Sequence, residues 1–354
     1  MNIRKISILV VLISIVFVFQ QCAKSDSGTD TSTTPLLQPA LPATAYNYNV
    51  SLPAYIQNAL LLNDNTPVTN PITNDGATLG RVLFYDKYLS KNNTISCGSC
   101  HKPETFFSDN ATLSKGFAGG LTTRHSMALL NVRFYKSGKM FWDERSPTLE
   151  NQALQPIQNT VEMGLTLAEL ESKVSSLNYY PALFQKAFGS SQIDSIKIAR
   201  AIAQFVRSIV TYQSKYDQVK QGLATFTADE ATGEQIFNTV PPPGPGGGQP
   251  ASCANCHTPP MFITSAPLRP FGLLDPNDGG INNQNRFKSG SLRNIANTAP
   301  YFHNGSVPTL TALLSTGIPA HNIPPPDVAK MLSFLQTLSD PTVTTEKRFS
   351  DPFK

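Results

Sequence analysis

Cys97-Gly-Ser-Cys-His101 and Cys253-Ala-Asn-Cys-His257 are the two segments of this chain of 354 residues from which its fold can be predicted. In each, two residues separate a pair of cysteines, and a histidine directly follows the second cysteine. Together they use four of the five cysteines in the sequence. The first cysteines of the two motifs lie 156 positions apart. This repetition predicts two similar domains with one copy of the motif in each.

The C-x-x-C-H pattern is the attachment motif of c-type haem. The two thiols bond covalently to the porphyrin, and the adjacent histidine ligates the iron from the proximal side. A redox dithiol would need a thioredoxin-like strand and helix around it, which the sequence does not indicate. A zinc site gives no reason for a histidine after each pair. We therefore expect two covalently attached haems, with His101 and His257 as iron ligands.

The N-terminal residues predict an export signal. Arg4 and Lys5 precede the apolar segment 6–19, which is too short to span a bilayer comfortably. Cys22 then resembles the acylated cysteine of a bacterial lipoprotein, although Gln21 fits poorly, and simple cleavage to a soluble periplasmic protein is the alternative. We expect a signal over 1–22, a flexible tether rich in Ser, Thr and Pro over 23–50, and a periplasmic protein anchored through Cys22.

Apolar residues at helical spacing predict an all-α fold made of two c-type cytochrome domains. The clearest stripes are Leu79–Tyr85, Ile198–Ile209 and Val328–Leu335, and Thr166 with Glu169 forms a capping box. We place the domains at 51–212 and 213–354. The Pro/Gly run at 241–248 is a less favoured boundary, because it would separate the helix predicted at 228–237 from the second motif. A net charge of +4 with 15% charged residues argues against a nucleic-acid partner.

Further motifs occur in a fixed order around the two cysteine pairs. From about Leu79 to Leu338 the chain resembles the bacterial dihaem cytochrome c peroxidases, a family that includes the MauG-like enzymes. The motifs that carry the resemblance are Leu79–Phe84, Cys97–His101, Phe141–Asp143, Gln152–Glu162, Cys253–His257, Ser291–Asn294 and Thr298–His303.

The resemblance implies that the N-terminal haem reacts with peroxide and the C-terminal haem receives electrons. Glu162 matches the family's distal acid/base and Gln152 its partner. Cleavage of an iron-bound peroxide needs a group that moves a proton between the two oxygens, and a carboxylate with a raised pKa suits this role. Trp142 matches a tryptophan that carries electrons between the haems; a core anchor is the alternative for this single tryptophan, and both roles are compatible.

Three positions match a calcium site between the family's domains: His125, Thr298 and Pro300. Calcium prefers oxygen ligands, which the backbone carbonyls of Thr298 and Pro300 can supply. His125 replaces a residue with a side-chain oxygen, so one calcium ion is an open expectation. His303 matches a histidine near the second haem, where we expect a structural role.

The sequence departs from the family at both sixth iron ligands. Phe117 occupies the position of a displaceable histidine, so we expect an open, high-spin first haem. At the second haem, counting along the sequence from Pro300 without gaps places Gly317 at the position where the family has Met or Tyr. His321 is the nearby candidate, Met331 a weaker one, and an exposed loop position is the alternative for His321.

The leading function is a dihaem peroxidase that reduces hydrogen peroxide to water with electrons from a small cytochrome c or copper protein. A MauG-like oxidase of a protein or organic substrate is the first rival, favoured by Phe117 and weakened by Gly317. A dihaem electron carrier without catalysis is the second. A homodimer is a further expectation.

Overall fold

The computed structural model describes residues 37–61, 63–240, 252–264, 278–315, 321 and 323–354. Within these ranges the chain is helical, and its extended pairing is limited to isolated bridges, so the all-α prediction is confirmed. The helices are α1 Ala54–Leu60, α2 Asn74–Tyr85, α3 Cys97–Cys100, α4 Leu149–Gln158, α5 Leu167–Ser175, α6 Tyr180–Phe188, α7 Ser195–Ser208, α8 Lys215–Lys220, α9 Ala228–Asn238, α10 Cys253–Cys256, α11 Leu310–Ser315, α12 Pro325–Thr337 and α13 Thr342–Thr345.

Side-chain caps determine where the main helices begin. The Thr73 hydroxyl accepts a hydrogen bond from Gly76 N at the start of α2, and the Asp194 carboxylate accepts one from Lys197 N at the start of α7. The predicted capping box of Thr166 and Glu169 opens α5. These side chains satisfy backbone N–H groups that a first helical turn leaves without partners.

Two helix pairs, α2 with α7 and α9 with α12, each cross at a glycine. A Cβ on Gly80 would lie 1.9 Å from the Ala201 carbonyl oxygen, and a Cβ on Gly233 would lie 2.2 Å from that of Lys330. The backbones therefore touch at both crossings, and only glycine fits there. Because each pair accompanies one C-x-x-C-H motif, the duplication expected from the motifs extends to the helices that surround them.

The loops between the paired helices repeat as well. Asn131 and Asn294 both adopt a left-handed conformation before a short 3-10 turn. The turns 140–146 and 301–307 are closed by matching bridges, and each has phenylalanine at its second position with φ near 70°. This alignment makes Trp142 and His303 equivalent positions in the two halves.

The described residues form a larger cluster around α2, α4–α7 and the first motif, which we call the first lobe, and a second around α9–α12, the second lobe. A third, smaller cluster combines Ile56, Phe134, Tyr135 and Val210 with Met261 and Ile263 of the second motif's loop. This third cluster thus packs residues of the predicted 51–212 domain against the loop of the second motif.

Both ends of the described chain pack on the first lobe. Tyr48 is 1% exposed, and its hydroxyl donates to the Arg348 carbonyl. Arg81 and Tyr85 of α2 donate to the carbonyls of Lys347 and Phe349. The expected flexible tether through residue 50 does not hold for Tyr48, because its ring is buried. The last residues of the predicted 213–354 domain likewise contact the first lobe.

Several predicted features lie outside the described residues: the export signal, Cys22, the Pro/Gly run at 241–248 and Gly317. Among the helices that are described, none combines the length and the apolar character needed to cross a membrane.

Candidate active site

The first C-x-x-C-H motif opens onto a cavity whose wall is completed by residues of α2, α4 and α7. Helix α3 is a single turn, so Cys97 and Cys100 lie on one side of it, and both line the cavity together with His101. A capping box of Ser96 and Ser99 fixes the start of this turn.

His101 is oriented for ligation to a metal. Its Nδ1 lies 3.2 Å from the Phe107 carbonyl oxygen and donates to it, which leaves Nε2 as the atom with a free lone pair. Burial lowers the pKa of His101, so the imidazole is neutral, as a metal ligand must be. Two thiols and a neutral imidazole that line one cavity fit a covalently attached haem.

The cavity wall also contains both predicted catalytic residues. Gln152 comes from α4, and Glu162 comes from the turn that follows this helix. The Asn159 side chain accepts hydrogen bonds from Val161 N and Glu162 N and so fixes the turn. Burial raises the pKa of Glu162, and the Arg145 guanidinium opposes this rise in part. A carboxyl group that holds and releases a proton nearer to neutral pH therefore faces the same cavity as His101.

Phe117 is not among the residues that line this cavity. Its backbone N–H donates to the Glu162 carbonyl, and its ring packs on Gly164, where a Cβ would lie 2.5 Å from the ring. Lys115 and Met163 line the cavity instead, which the sequence analysis missed. Their position next to Phe117 and Glu162 in the chain was the available signal.

The second motif presents its histidine in a similar way. His257 follows α10, and its Nδ1 is 3.0 Å from the Ser289 hydroxyl, which leaves Nε2 for a metal. Burial, followed by the nearby His321, lowers the pKa of His257 to about 3. The rings of His257 and His321 have their centres 6.5 Å apart. The sequence candidate His321 is therefore close to the proximal histidine, whereas Met331 is 1% exposed in the core of the second lobe.

Trp142 joins the two lobes. Its indole Nε1–H donates to the His125 carbonyl at 2.7 Å, and its own carbonyl accepts from Lys288 N at 2.7 Å. Its ring meets that of His303, its equivalent in the repeat, edge to face at 6.5 Å. The tryptophan is half-buried between loops that follow the first motif and loops that follow the second.

His125 is turned toward backbone carbonyls. Its Nδ1 lies 3.1 Å from the Ala111 oxygen and 3.2 Å from the Thr112 oxygen. A nitrogen that donates to carbonyls supplies no oxygen ligand, so His125 itself does not fit calcium. Calcium at Thr298 and Pro300 stays a prediction. The described residues contain no group of three His, Cys, Asp or Glu side chains placed to hold a metal.

Charged side chains reinforce the junction near Trp142. Arg124 pairs with Asp278 of the second lobe at 2.6 Å and with Asp143 at 2.7 Å. His303 stacks on Phe287 with ring centres 3.6 Å apart, as a structural residue would. Sequence reasoning missed the Arg124 ion pairs.

Lys288 is a second feature that the sequence analysis missed. It is 4% exposed, and its ammonium lies 3.4 Å from the centre of the Tyr135 ring while donating to the Lys139 carbonyl. Burial lowers its pKa to about 7. No local pattern distinguishes this lysine from an exposed one.

Helices paired around two C-x-x-C-H motifs, with an acid-bearing cavity at the first, define a haem oxidoreductase of the cytochrome c type. A family model described as di-haem cytochrome c peroxidase matches residues 74–225, and one described as RoxA-like, cytochrome c-like matches 287–318. The chain belongs to the di-haem cytochrome c peroxidase and MauG family.

Individual relatives agree with this assignment. The chain is 33% identical over 311 residues to a cytochrome c551 peroxidase of Nitrosomonas europaea, covering 82% of this chain and 89% of the relative. It is 31% identical to the methylamine utilization protein MauG of Methylophilus methylotrophus, over 70% of this chain and 73% of that protein. A crystal structure of a MauG-like protein associated with microbial copper homeostasis superposes with a TM-score of 0.75 and 30% identity, covering 88% of this chain and 100% of that chain.

Proposed function

We propose that this protein is a dihaem cytochrome c peroxidase that reduces hydrogen peroxide to two molecules of water, using two electrons and two protons. The observation that carries the proposal is the single cavity lined by Cys97, Cys100 and His101 on one side and by Gln152 and Glu162 on the other. The similarity to cytochrome c551 peroxidase supports it.

The haem held by Cys97, Cys100 and His101 would supply the iron that binds peroxide and exchanges electrons with it. Glu162 would take a proton from the peroxide oxygen nearer the iron and return it to the leaving oxygen. Its raised pKa supports this role, because a group that both accepts and donates a proton works best when its pKa approaches the working pH. The Gln152 amide would hold the peroxide in line.

Electrons would enter at the second motif and pass through the Trp142 region. The indole N–H donates to the His125 carbonyl and the backbone carbonyl of Trp142 accepts from Lys288 N of the second lobe, which limits the movement of this residue. The donor would be a small cytochrome c or copper protein in the periplasm. We further propose lipid anchoring through Cys22, a homodimer, and a calcium ion at the Thr298 and Pro300 carbonyls; labelling with radioactive palmitate, sedimentation and metal analysis test these three in turn.

Steady-state turnover tests the function. Matured, full-length protein should oxidise a reduced small cytochrome c only when hydrogen peroxide is added, with two cytochromes consumed per peroxide. Oxidation that stops once the protein's own haems are reduced, with or without peroxide, would support the electron carrier instead.

The second candidate function is a MauG-like oxidase of a protein or organic substrate, because two MauG proteins are 31% identical to this chain. It predicts slow turnover with cytochrome c and faster peroxide consumption when a protein or organic substrate is present. Measuring peroxide consumption with each reductant separates the two activities.

A further inference from the structure

The pair of imidazoles at the second motif has the spacing expected for two ligands on one iron. The ring centres of His257 and His321 are 6.5 Å apart, and their planes are inclined at 57°. An iron–nitrogen bond of about 2 Å on each side, with about 1 Å from each nitrogen to its ring centre, gives a separation of about 6 Å.

Direct hydrogen bonding between the two rings would bring them closer. A nitrogen–nitrogen distance of about 3 Å would put the ring centres about 5 Å apart. Stacked rings would be closer again, as the 3.6 Å between Phe287 and His303 illustrates. The observed spacing thus leaves room for one metal atom between the two imidazoles.

Neighbouring groups support both rings in this arrangement. Ser289 engages Nδ1 of His257 at 3.0 Å, which directs Nε2 away from the hydroxyl. Phe302 meets His321 edge to face at 6.0 Å. His321 is half-buried and lies four residues before α12. This helix is the partner of α9 in the helix pair of the second lobe, so the histidine is tied to the same lobe as the motif.

Met331 is the rival donor in the same lobe. It lies inside α12 and is packed among the apolar residues of the second cluster, at 1% exposure. To reach an iron held by His257, the Met331 side chain would have to leave this core. The ring centre of His321 is already 6.5 Å from that of His257.

We propose that His321 is the second axial ligand of the haem at Cys253 and Cys256, so that imidazoles occupy both faces of this iron. The inference rests on the proposed function for the presence of that haem. An iron ligated by two histidines has a lower reduction potential than one ligated by histidine and methionine. The second haem would therefore transfer electrons without binding substrate, and peroxide chemistry would be confined to the first.

The test compares three variants of the full-length, matured protein: His321→Ala, His321→Met and, as the matched control, Met331→Leu. Near-infrared magnetic circular dichroism identifies the ligand pair, and potentiometric titration gives the potential of each haem. We expect the wild type and Met331→Leu to show a bis-histidine low-spin centre. His321→Ala should convert that one haem of the two to high spin, and His321→Met should create a methionine–iron band and raise the potential of that haem.

Loss of the low-spin ligand pair in Met331→Leu, or an unchanged spectrum in His321→Ala, would overturn the proposal. Haem content measured as pyridine haemochrome distinguishes this failure from that of the proposed function. Two haems per chain with an unchanged His321→Ala spectrum reject only the ligand. Fewer than two haems per chain would reject the dihaem peroxidase and the ligand together.

Discussion

Replacing Glu162 with glutamine tests the catalytic cavity most sharply. The substitution keeps the size of the side chain and removes its ability to exchange a proton, while His101 and Gln152 stay in the same cavity. A positioned acid/base contributes about 10²–10⁴-fold to a rate, or about 3–5 kcal/mol of barrier. We therefore expect kcat/KM for peroxide to fall by about 10²–10⁴-fold, with both haems retained.

The pH dependence adds a signature that a merely structural role would lack. Burial raises the pKa of Glu162, and the base must be ionised, so activity should fall as the pH drops through this raised pKa. Because Arg145 opposes the rise, Arg145→Met should move this acid limb to higher pH, and Glu162→Gln should abolish it.

The assay is steady-state oxidation of a reduced cytochrome c at varied peroxide and pH. Glu104→Gln is the matched control, since Glu104 is an exposed glutamate close to the first motif and outside the cavity wall. Activity of Glu162→Gln within about threefold of the wild type would refute the assignment, because a positioned acid/base contributes far more.

Three other residues lead to testable expectations. Arg293 is fully buried with Asp217 in a bidentate pair, so Arg293→Met should lower the free energy of unfolding by about 3–5 kcal/mol in chemical denaturation. Adding Asp217→Asn should recover part of this loss. A loss below about 1 kcal/mol for Arg293→Met would contradict the expectation. Lys288 has its pKa lowered to about 7 in the folded state, against about 10.4 unfolded, so the unfolded chain binds the extra proton between these values and stability should rise with pH there by up to about 5 kcal/mol. Lys288→Met should flatten this rise, and an unchanged slope would count against a buried ammonium. Trp142→Phe removes the indole donor to the His125 carbonyl. This variant should slow electron transfer between the haems, measured by stopped flow, without loss of haem. An unchanged rate would leave the tryptophan as a core anchor.

Local patterns predicted much of this molecule. The apolar stripe Ile198–Ile209 and the Thr166 capping box gave helices α7 and α5 because spacing and caps act within a few residues. The first cysteine pair located the cavity, because Cys97, Cys100 and His101 all line it. Gln152 and Glu162 were found through the family resemblance, and the structure brings them into one cavity with His101.

Contacts between residues far apart in the chain could not be predicted from the sequence. Tyr48 and Arg348 meet across 300 positions, and no periodicity in either segment indicates that both pack on the first lobe. Lys288 resembles any surface lysine, because its burial depends on Tyr135 and on the Lys139 carbonyl in the other lobe. The equivalence of Trp142 and His303 was open to prediction, since Met140–Ser146 and Tyr301–Val307 have the same spacing around a phenylalanine.

Two bound haems, the first with an open iron face beside Glu162, are the premise of the proposed function. Quantitative electron paramagnetic resonance of the fully oxidised, matured protein tests it most directly. We expect high-spin and low-spin ferric signals in equal amounts, the high-spin signal arising from the haem of His101. Entirely low-spin iron would rule out the open face, because it would mean that a protein group such as Met163 or Lys115 already occupies the peroxide position.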